Sequence, residues 1–305
     1  MNGNIFDINR FAIHDGGGIR STLFIKGCPL NCPWCQNPEG KNKNIALWHF
    51  SNKCIKCGIC MGVCPQKALT MNEKGISVDR KRCDLCGKCV DACPALALKF
   101  DARSMSVRQV IEELLADKSF YDVTNGGITL SGGEPTANPE FSLEILRECK
   151  KHGINTAMET CLYTDEKVLL KFTEVVDTFY TDIKIFNCEK HRLVIGVPNE
   201  KILNNFKALV KAGASIIVRI PLIPGFTADD QNLYNIGGFV SKVNADIPVE
   251  LINFNPLAEN KYAVFDFDYP VKSGTKPYPK AEMESFIDIL KKSGVKKVLS
   301  GGVFR

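Results

Sequence analysis

The chain has 305 residues, 45% of them hydrophobic and 24% charged, with a mean hydropathy of −0.07. That length supports one large core and a smaller satellite, and the abundance of Val, Ile, Leu and Phe excludes a disordered chain. The formal charge of +5 comes without any run of five basic residues, so no nucleic acid is expected, and no apolar stretch approaches the roughly 18 residues of a membrane helix.

Segment 1–11 carries Asp7 and Arg10 and lacks the apolar stretch of a signal peptide, so a cytoplasmic protein is expected. In a reducing compartment, clustered cysteines read as metal ligands, and this chain has 14. The first candidate strand, 22–26, runs into Cys28-x3-Cys32-x2-Cys35. Three thiolates without a fourth nearby leave one iron of a [4Fe–4S] cubane open. By analogy with catalytic zinc, an open position is where substrate or cofactor binds. Cys149, Cys161 and Cys188 stand outside every cysteine group, and each is a candidate fourth ligand. Cys149 lies on the apolar stripe of a helix and reads as a core residue, whereas Cys161 and Cys188 are open to a redox or packing role.

Residues 49–101 read as a ferredoxin-like insert. Cys54-x2-Cys57-x2-Cys60-x3-Cys64-Pro65 recurs 29 residues later as Cys83-x2-Cys86-x2-Cys89-x3-Cys93-Pro94, since 83 − 54 = 29. Gly58 maps to Gly87 and Ala68-Leu69 to Ala97-Leu98. In the bacterial ferredoxin run the fourth cysteine ligates the other cluster. One [4Fe–4S] cluster is therefore expected on Cys54, Cys57, Cys60 and Cys93, and a second on Cys83, Cys86, Cys89 and Cys64. Zinc would take its ligands as two short pairs. Clusters of roughly −2, −2 and −1 bring the holoprotein near neutrality.

The remainder, 1–48 and 102–305, alternates strands and helices, the pattern of an α/β protein with a parallel sheet. Beyond 22–26, strands are expected at 127–131, 155–159, 178–184, 215–220, 249–254 and, more weakly, 295–299. Their nearly continuous apolar runs suggest burial on both faces. Ser106 and Gln109 form a capping box ahead of Val107, Val110, Ile111, Leu114 and Leu115. Asn138-Pro139 opens another helix, which Gly153 closes. Polar residues gather where these strands end, the place for chemistry in parallel α/β folds. They are Ser131-Gly132-Gly133-Glu134-Pro135, Glu159-Thr160, Asp182-Ile183-Lys184, Arg219 and Asn253-Phe254-Asn255-Pro256.

Cys28-x3-Cys32-Pro33-Trp34-Cys35 resembles the cluster motif of radical S-adenosylmethionine (SAM) enzymes, and His14-Asp15-Gly16-Gly17-Gly18-Ile19-Arg20 resembles the signature of glycyl-radical-enzyme activating enzymes, with Gly17 for their Pro. The resemblance covers the whole chain, two-cluster insert included. It implies a partial (β/α)6 barrel open to the glycine loop of a partner glycyl radical enzyme. Cys28, Cys32 and Cys35 would hold the catalytic cluster and SAM would chelate its fourth iron. The reduced cluster would cleave SAM to methionine and a 5′-deoxyadenosyl radical, which takes hydrogen from a backbone glycine. Trp34 and Gln36 would flank adenine. Gly132 and Gly133 would admit the methionyl amino group, with Glu134 nearby. Asp182, Ile183 and Lys184 match the family's Asp-x-Lys element near the SAM carboxylate and ribose, and Arg219 matches a SAM-contacting Arg. Asn255 stands where many activases carry His. Glu159, Thr160 and Asp182 occupy positions where relatives place a monovalent cation, with Glu159 for their Asp. The insert clusters would relay electrons from reduced ferredoxin or flavodoxin. The competing readings are a radical SAM enzyme for a small molecule or another peptide, and a non-catalytic ferredoxin-like electron carrier, for which the open three-cysteine site would have no use.

Overall fold

The computed structural model describes residues 1–264 and 267–301. Nine strands make one sheet. In chain order the strands of the protein are β1 (Asn2–Ala12), β2 (Arg20–Ile25), β3 (Leu47–His49), β4 (Leu69–Asn72), β5 (Gly75–Val78), β6 (Leu98–Phe100), β7 (Arg103–Ser106), β8 (Gly127–Gly132), β9 (Asn155–Thr160), β10 (Thr178–Asp182), β11 (Ile216–Pro221), β12 (Val249–Ile252) and β13 (Val298–Gly301). The large sheet runs β13-β12-β11-β10-β9-β8-β2-β1-β7. From β2 through β13 its neighbours are parallel, and β1 pairs antiparallel with both β2 and β7. This is a mixed α/β fold around a large parallel sheet.

Helices connect the parallel strands and cover one face. Helix Val107–Leu115 begins at Ser106, whose hydroxyl accepts from the Gln109 N–H while the Gln109 side chain accepts from Ser106, closing the expected capping box. Helix Pro139–Lys151 has Pro at its first position, and Gly153 follows it at φ +69°. On this face Leu23, Ile25, Ile128, Leu130, Met158, Phe179, Val218, Ile220, Val249 and Leu251 pack against Leu114, Phe141, Leu146, Phe206, Leu233 and Leu290. Each such side chain contributes about 1.5–3 kcal/mol by burial. Cys149 is fully buried in this core, and burial pushes its thiol up to about 12.

The opposite face of the sheet is polar. Its residues pair across strands as Thr22 with Thr129, Phe24 with Ser131, Glu159 with Tyr180, Asp182 with Arg219, and Arg219 with Glu250. Segment 13–18 lies over it. The Thr22 hydroxyl donates to the Asp15 carboxylate (2.6 Å), the Thr129 hydroxyl to the Asp15 carbonyl (2.8 Å), and Arg219 Nη2 to the His14 carbonyl (3.2 Å). Arg20, 2% exposed, donates to Thr129 Oγ1, the Ile128 carbonyl and Asn155 Oδ1, stitching three strands together. Both faces are buried, as expected, but one is buried by polar pairing.

Between β2 and β7 the chain makes a small unit with its own core of Leu47, Cys60, Leu69, Ile76, Cys89 and Leu98. β3 and β6 close its mouth, antiparallel, with Leu47 opposite Phe100, and β4 and β5 form a hairpin. The 29-residue repeat is visible in the backbone. Gly58 and Gly87 (φ +75° and +81°) precede short helices, and Lys56 matches Leu85, and Lys67 matches Leu96, at positive φ. Asp101, at the exit, forms a buried ion pair with Lys26 at the end of β2 (2.7 Å).

Candidate metal and cofactor centre

The chain leaves β2 through Gly27, at φ +104°, and enters the Cys28–Cys35 loop. The Gly27 and Cys28 N–H groups donate to the carbonyls of Gly40 (2.8 Å) and Lys41 (3.1 Å), so the loop returns to its own root. Helix Ala258–Val264 clasps it from outside. The Tyr262 hydroxyl donates to the Pro33 carbonyl (2.8 Å), and Lys261 pairs with Glu39 (2.7 Å) and donates to Asn37 (2.9 Å). No sequence pattern singles out Tyr262, because the loop it holds is more than two hundred residues away in the chain.

Cys28, Cys32 and Cys35 sit at one end of an apolar pocket with Leu30, Trp34, Cys161, Ile185, Ile195, Ile223 and Phe254. Burial pushes the Cys32 thiol up to about 12 and raises that of Cys35 as well. Without a cation, these thiols stay protonated. Cys161 belongs to the same apolar cluster as Cys28, and burial raises its pKa. Lys184 acts electrostatically on the thiols of Cys28, Cys32 and Cys35. Burial works against its ammonium, but the Asp182 carboxylate (2.6 Å) outweighs that and raises its pKa.

Trp34 is 3% exposed and packs 5.0 Å from Phe226, so its ring is a wall of this pocket. Gln36 Nε2 donates to the Asn255 carbonyl (3.2 Å), while the Asn255 side chain accepts from the Leu257 N–H (2.9 Å). Gln36 and Asn255 therefore meet, but through Asn255 backbone. Ile183 is buried. Gly132 is at φ +119°, and a Cβ on Gly133 would stand well inside contact distance of the Gly27 and Gly40 carbonyl oxygens. These two glycines let the turn after β8 nest against the root of the cysteine loop. Glu134, 1% exposed, has both oxygens engaged. They accept from Thr136 N–H (3.1 Å) and hydroxyl (2.8 Å), Thr160 hydroxyl (2.9 Å) and Cys161 N–H (2.7 Å). An open groove runs beside Cys28, lined by Asn31, Lys41, Lys43, Glu134 and Thr136.

Glu159, Thr160 and Asp182 are not brought together through their side chains. Glu159 pairs with Arg219 and accepts from Ser131, while Thr160 projects to the other face of the sheet, toward Glu134. Arg219 bridges Glu159 and Glu250 and stacks 4.0 Å over Tyr180. Of the leftover cysteines, Cys149 lies among helices and Cys188 bonds to Glu200 (3.1 Å). Only Cys161 reaches the three-cysteine group.

In the small unit, Cys54, Cys57, Cys60 and Cys93 line one cavity of about 330 Å³, and Cys64, Cys83, Cys86 and Cys89 line a second of about 320 Å³, volumes that include space open to solvent. Each cavity thus takes three cysteines from one run and one from the other. At the crossing cysteines the Ala68 N–H donates to Cys64 Sγ and the Ala97 N–H to Cys93 Sγ, both at 3.3 Å. Burial pushes the Cys89 thiol up to about 11. Among the described residues no three His, Cys, Asp or Glu side chains converge tightly enough for a single metal ion.

A family model for the radical SAM superfamily matches residues 22–236. The benzylsuccinate synthase activating enzyme of Thauera aromatica is 36% identical over 308 residues, spanning 97% of this chain and 92% of that protein. The trans-4-hydroxy-L-proline dehydratase activating enzyme of Clostridioides difficile is 39% identical over 265 residues, spanning 86% and 87%. Among solved structures, Streptococcus suis SuiB bound to its precursor peptide SuiA matches with a TM-score of 0.55 at 11% identity, over 91% of this chain and 47% of that one, a likeness of fold.

Proposed function

Because the chain belongs to the radical SAM superfamily, and within it to the activating enzymes of glycyl radical enzymes, we propose that it cleaves SAM reductively and delivers the resulting radical to a backbone glycine of a partner glycyl radical enzyme. The observation that carries this reading is the buried group of Cys28, Cys32 and Cys35 at the carboxyl end of the sheet, facing Lys184. A [4Fe–4S] cluster on these three residues, with SAM on its open iron, would supply one-electron cleavage to methionine and a 5′-deoxyadenosyl radical.

The residues around it bind, orient and exclude water. Thiols held protonated by burial become ligands only when iron offsets that cost, so the pocket favours a cluster over empty thiolates. Trp34, Ile185, Ile223 and Phe254 keep the site dry, which protects a radical from solvent. Lys184, held by Asp182, offers a cation for the carboxylate or ribose of SAM, and Gln36 and Asn255 frame the adenine end. Gly132 and Gly133 keep the turn close to the cysteine loop for the methionyl amino group. Arg219 acts by pinning segment 13–18 and Glu159. With Glu159 already paired, a monovalent cation at Glu159, Thr160 and Asp182 would bind through backbone oxygens and Asp182. The parallel strands would supply the partial (β/α)6 barrel, its polar face turned to the glycine loop.

We further infer that residues 49–101 are a ferredoxin-like insert with two more [4Fe–4S] clusters, on Cys54, Cys57, Cys60 and Cys93 and on Cys83, Cys86, Cys89 and Cys64. They would relay electrons from cytoplasmic reduced ferredoxin or flavodoxin. In support, Cys57 and Cys86 are exposed, and Cys83 borders a groove shared with Pro33 of the first loop and Tyr262 of the helix that clasps it. No helix among the described residues is long and apolar enough to cross a membrane. The test is anaerobic reconstitution, iron analysis and assay of 5′-deoxyadenosine after reduction with SAM. About twelve irons and 5′-deoxyadenosine are expected, against about eight irons and no product for Cys28→Ala. SAM cleavage by that variant would overturn the assignment.

A further inference from the structure

The two halves of the small unit share a backbone but not a surface. Lys56 and Leu85, and Lys67 and Leu96, hold matching positive φ values, all between +48° and +60°. The side chains presented from that common frame differ. Ile55, Ile59 and Leu96 stand 66%, 47% and 72% exposed, where the positions related by 29 residues are the exposed Asp84, Lys88 and Lys67. The three apolar residues gather about the first cavity. Ile55 lines it with Cys57, Pro94 and Ala95, Ile59 follows Gly58 of its wall, and Leu96 follows Ala95. The local fold does not require them, since the twin positions carry charge on the same backbone. Three large apolar side chains left in water around an exposed cysteine mark a contact surface.

The two cavities also differ in what they border. Cys83 and Leu85 of the second line the groove that holds Pro33 and Tyr262, and among the described residues no cysteine of the first cavity lines that groove. The second cavity is therefore the inner one, next to the Cys28–Cys35 loop, and the first is the outer one. Between them, Cys60 and Cys64 lie four residues apart along helix Ile59–Val63 and its cap, about 6 Å of helical rise. The outer rim, segment 50–60, carries the exposed Lys53 and Lys56 and no acid. We propose that Ile55, Ile59 and Leu96, with Lys53 and Lys56, form the docking face for an acidic one-electron carrier protein, so that reduction of the small unit begins at the Cys54, Cys57, Cys60 and Cys93 site. This rests on the reading of residues 49–101 as a two-cluster unit. One electron leaves the reduced carrier, which is oxidised, and the site is reduced by one electron, with no bond broken and no proton transferred. An apolar centre with a charged rim is the make-up of a protein interface, and electron-transfer contacts are among the smallest of these. Carboxylates of the carrier would meet the two ammonium groups at the rim and fix its orientation.

The experiment measures binding of an oxidised acidic ferredoxin to holoenzyme by isothermal titration, and maps the contact by coupling lysines to carboxylates with a carbodiimide. Ile55→Asp with Leu96→Lys gives the outer cavity the surface of the inner one, using the residues its twin carries. This double variant should weaken ferredoxin binding at least about tenfold, as expected for apolar anchors at the centre of an interface. Lys67→Glu with Lys88→Glu, on the other half, should leave binding unchanged. Cross-linked ferredoxin should be found on Lys53 or Lys56. Iron content and 5′-deoxyadenosine formation with dithionite should match wild type in both variants, whereas with ferredoxin as the only reductant the first variant should be slower. If that variant loses iron, Lys53→Glu with Lys56→Glu alters only exposed charge and should weaken binding in its place. Unchanged binding in the outer-face variants, an equal loss in Lys67→Glu with Lys88→Glu, cross-links confined to Lys67 and Lys88, or no ferredoxin binding by wild type would each overturn the proposal. So would loss of binding to the glycyl radical enzyme with ferredoxin binding intact, which would make this face the contact between the two enzymes. Failure of Cys28→Ala to hold about eight irons would instead sink the two-cluster reading itself, so the two failures are separable.

Discussion

Removing one partner of the Lys26–Asp101 ion pair should loosen the junction between the small unit and the strand that feeds the cysteine loop. The side chains are 0% and 3% exposed, 2.7 Å apart. Lys26 also donates to the Glu39 carbonyl (2.7 Å), and Asp101 Oδ1 accepts from the Ala46 N–H (2.8 Å). Asp101→Asn leaves a buried ammonium with one carbonyl partner, and Lys26→Met leaves a buried carboxylate with one N–H. Each should cost about 3–5 kcal/mol, the usual penalty for an orphaned buried charge. Set against a total of about 5–15 kcal/mol, that is a large share of the fold's stability. The double variant removes both charges and should recover at least about 2 kcal/mol of the summed single losses. Anaerobic guanidinium denaturation of holoenzyme measures all four corners of the cycle. Single losses below about 1 kcal/mol that simply add would refute the reasoning, since the pair would then behave as an exposed one. Lys26 stands two residues before Cys28, so the single variants should also lower the yield of 5′-deoxyadenosine.

Gly133→Ala forces a Cβ onto the carbonyls of Gly27 and Gly40. It should cost about 1–3 kcal/mol as an overpacked site and reduce SAM binding, read by isothermal titration of holoenzyme. Arg219→Gln removes the cation between Glu159 and Glu250 and the anchor of the His14 carbonyl. Hydrogen exchange at residues 14–18 should quicken, and unchanged protection there would mean the loop is held by Asp15 alone. His191, 1% exposed with Nδ1 on the Val197 carbonyl, has its pKa lowered from 6.5 by burial. The unfolded chain binds that proton more readily. Its contribution is therefore complete above about pH 6.5 and is lost as pH falls through the lowered value. Denaturation midpoints of wild type should fall relative to His191→Asn between pH 7.5 and 5.5, and parallel curves would contradict the assignment.

The parallel strands are legible because apolar runs bounded by Gly, Pro and Asn mark them, and their order in the sheet follows the chain. The runs overshoot where a second core begins. The expected strand 178–184 ends at Asp182, because Ile185 turns into the pocket around Trp34. The weak signal at 295–299 is displaced to Val298–Gly301, since Val295 packs in the main core ahead of the strand. β1 and β7 are not legible at all. β1 carries Asn4, Asp7, Asn9 and Arg10 and breaks register twice against β2, so no period of two survives in its sequence. The division of the eight insert cysteines between two cavities follows the spacing read in the sequence, because short spacings hold each run's first three cysteines in one loop. The contacts of Glu134, Glu159 and Tyr262 are not. Each depends on a partner distant in the chain, and the identity of a glutamate says nothing of which donor will occupy it.

The crossing of Cys64 and Cys93 between the two cavities has a consequence for how the small unit is made and lost. Neither half is a module. Deleting residues after Cys64 would strip one cavity of its fourth wall and leave the other with only one thiol. Oxidising a single crossing cysteine would likewise open one cavity and disturb the Ala68 or Ala97 N–H that steadies the neighbouring turn. The unit is thus a clasp with two interlocked hooks. An insertion or truncation between the repeats is therefore far more damaging than one at either end.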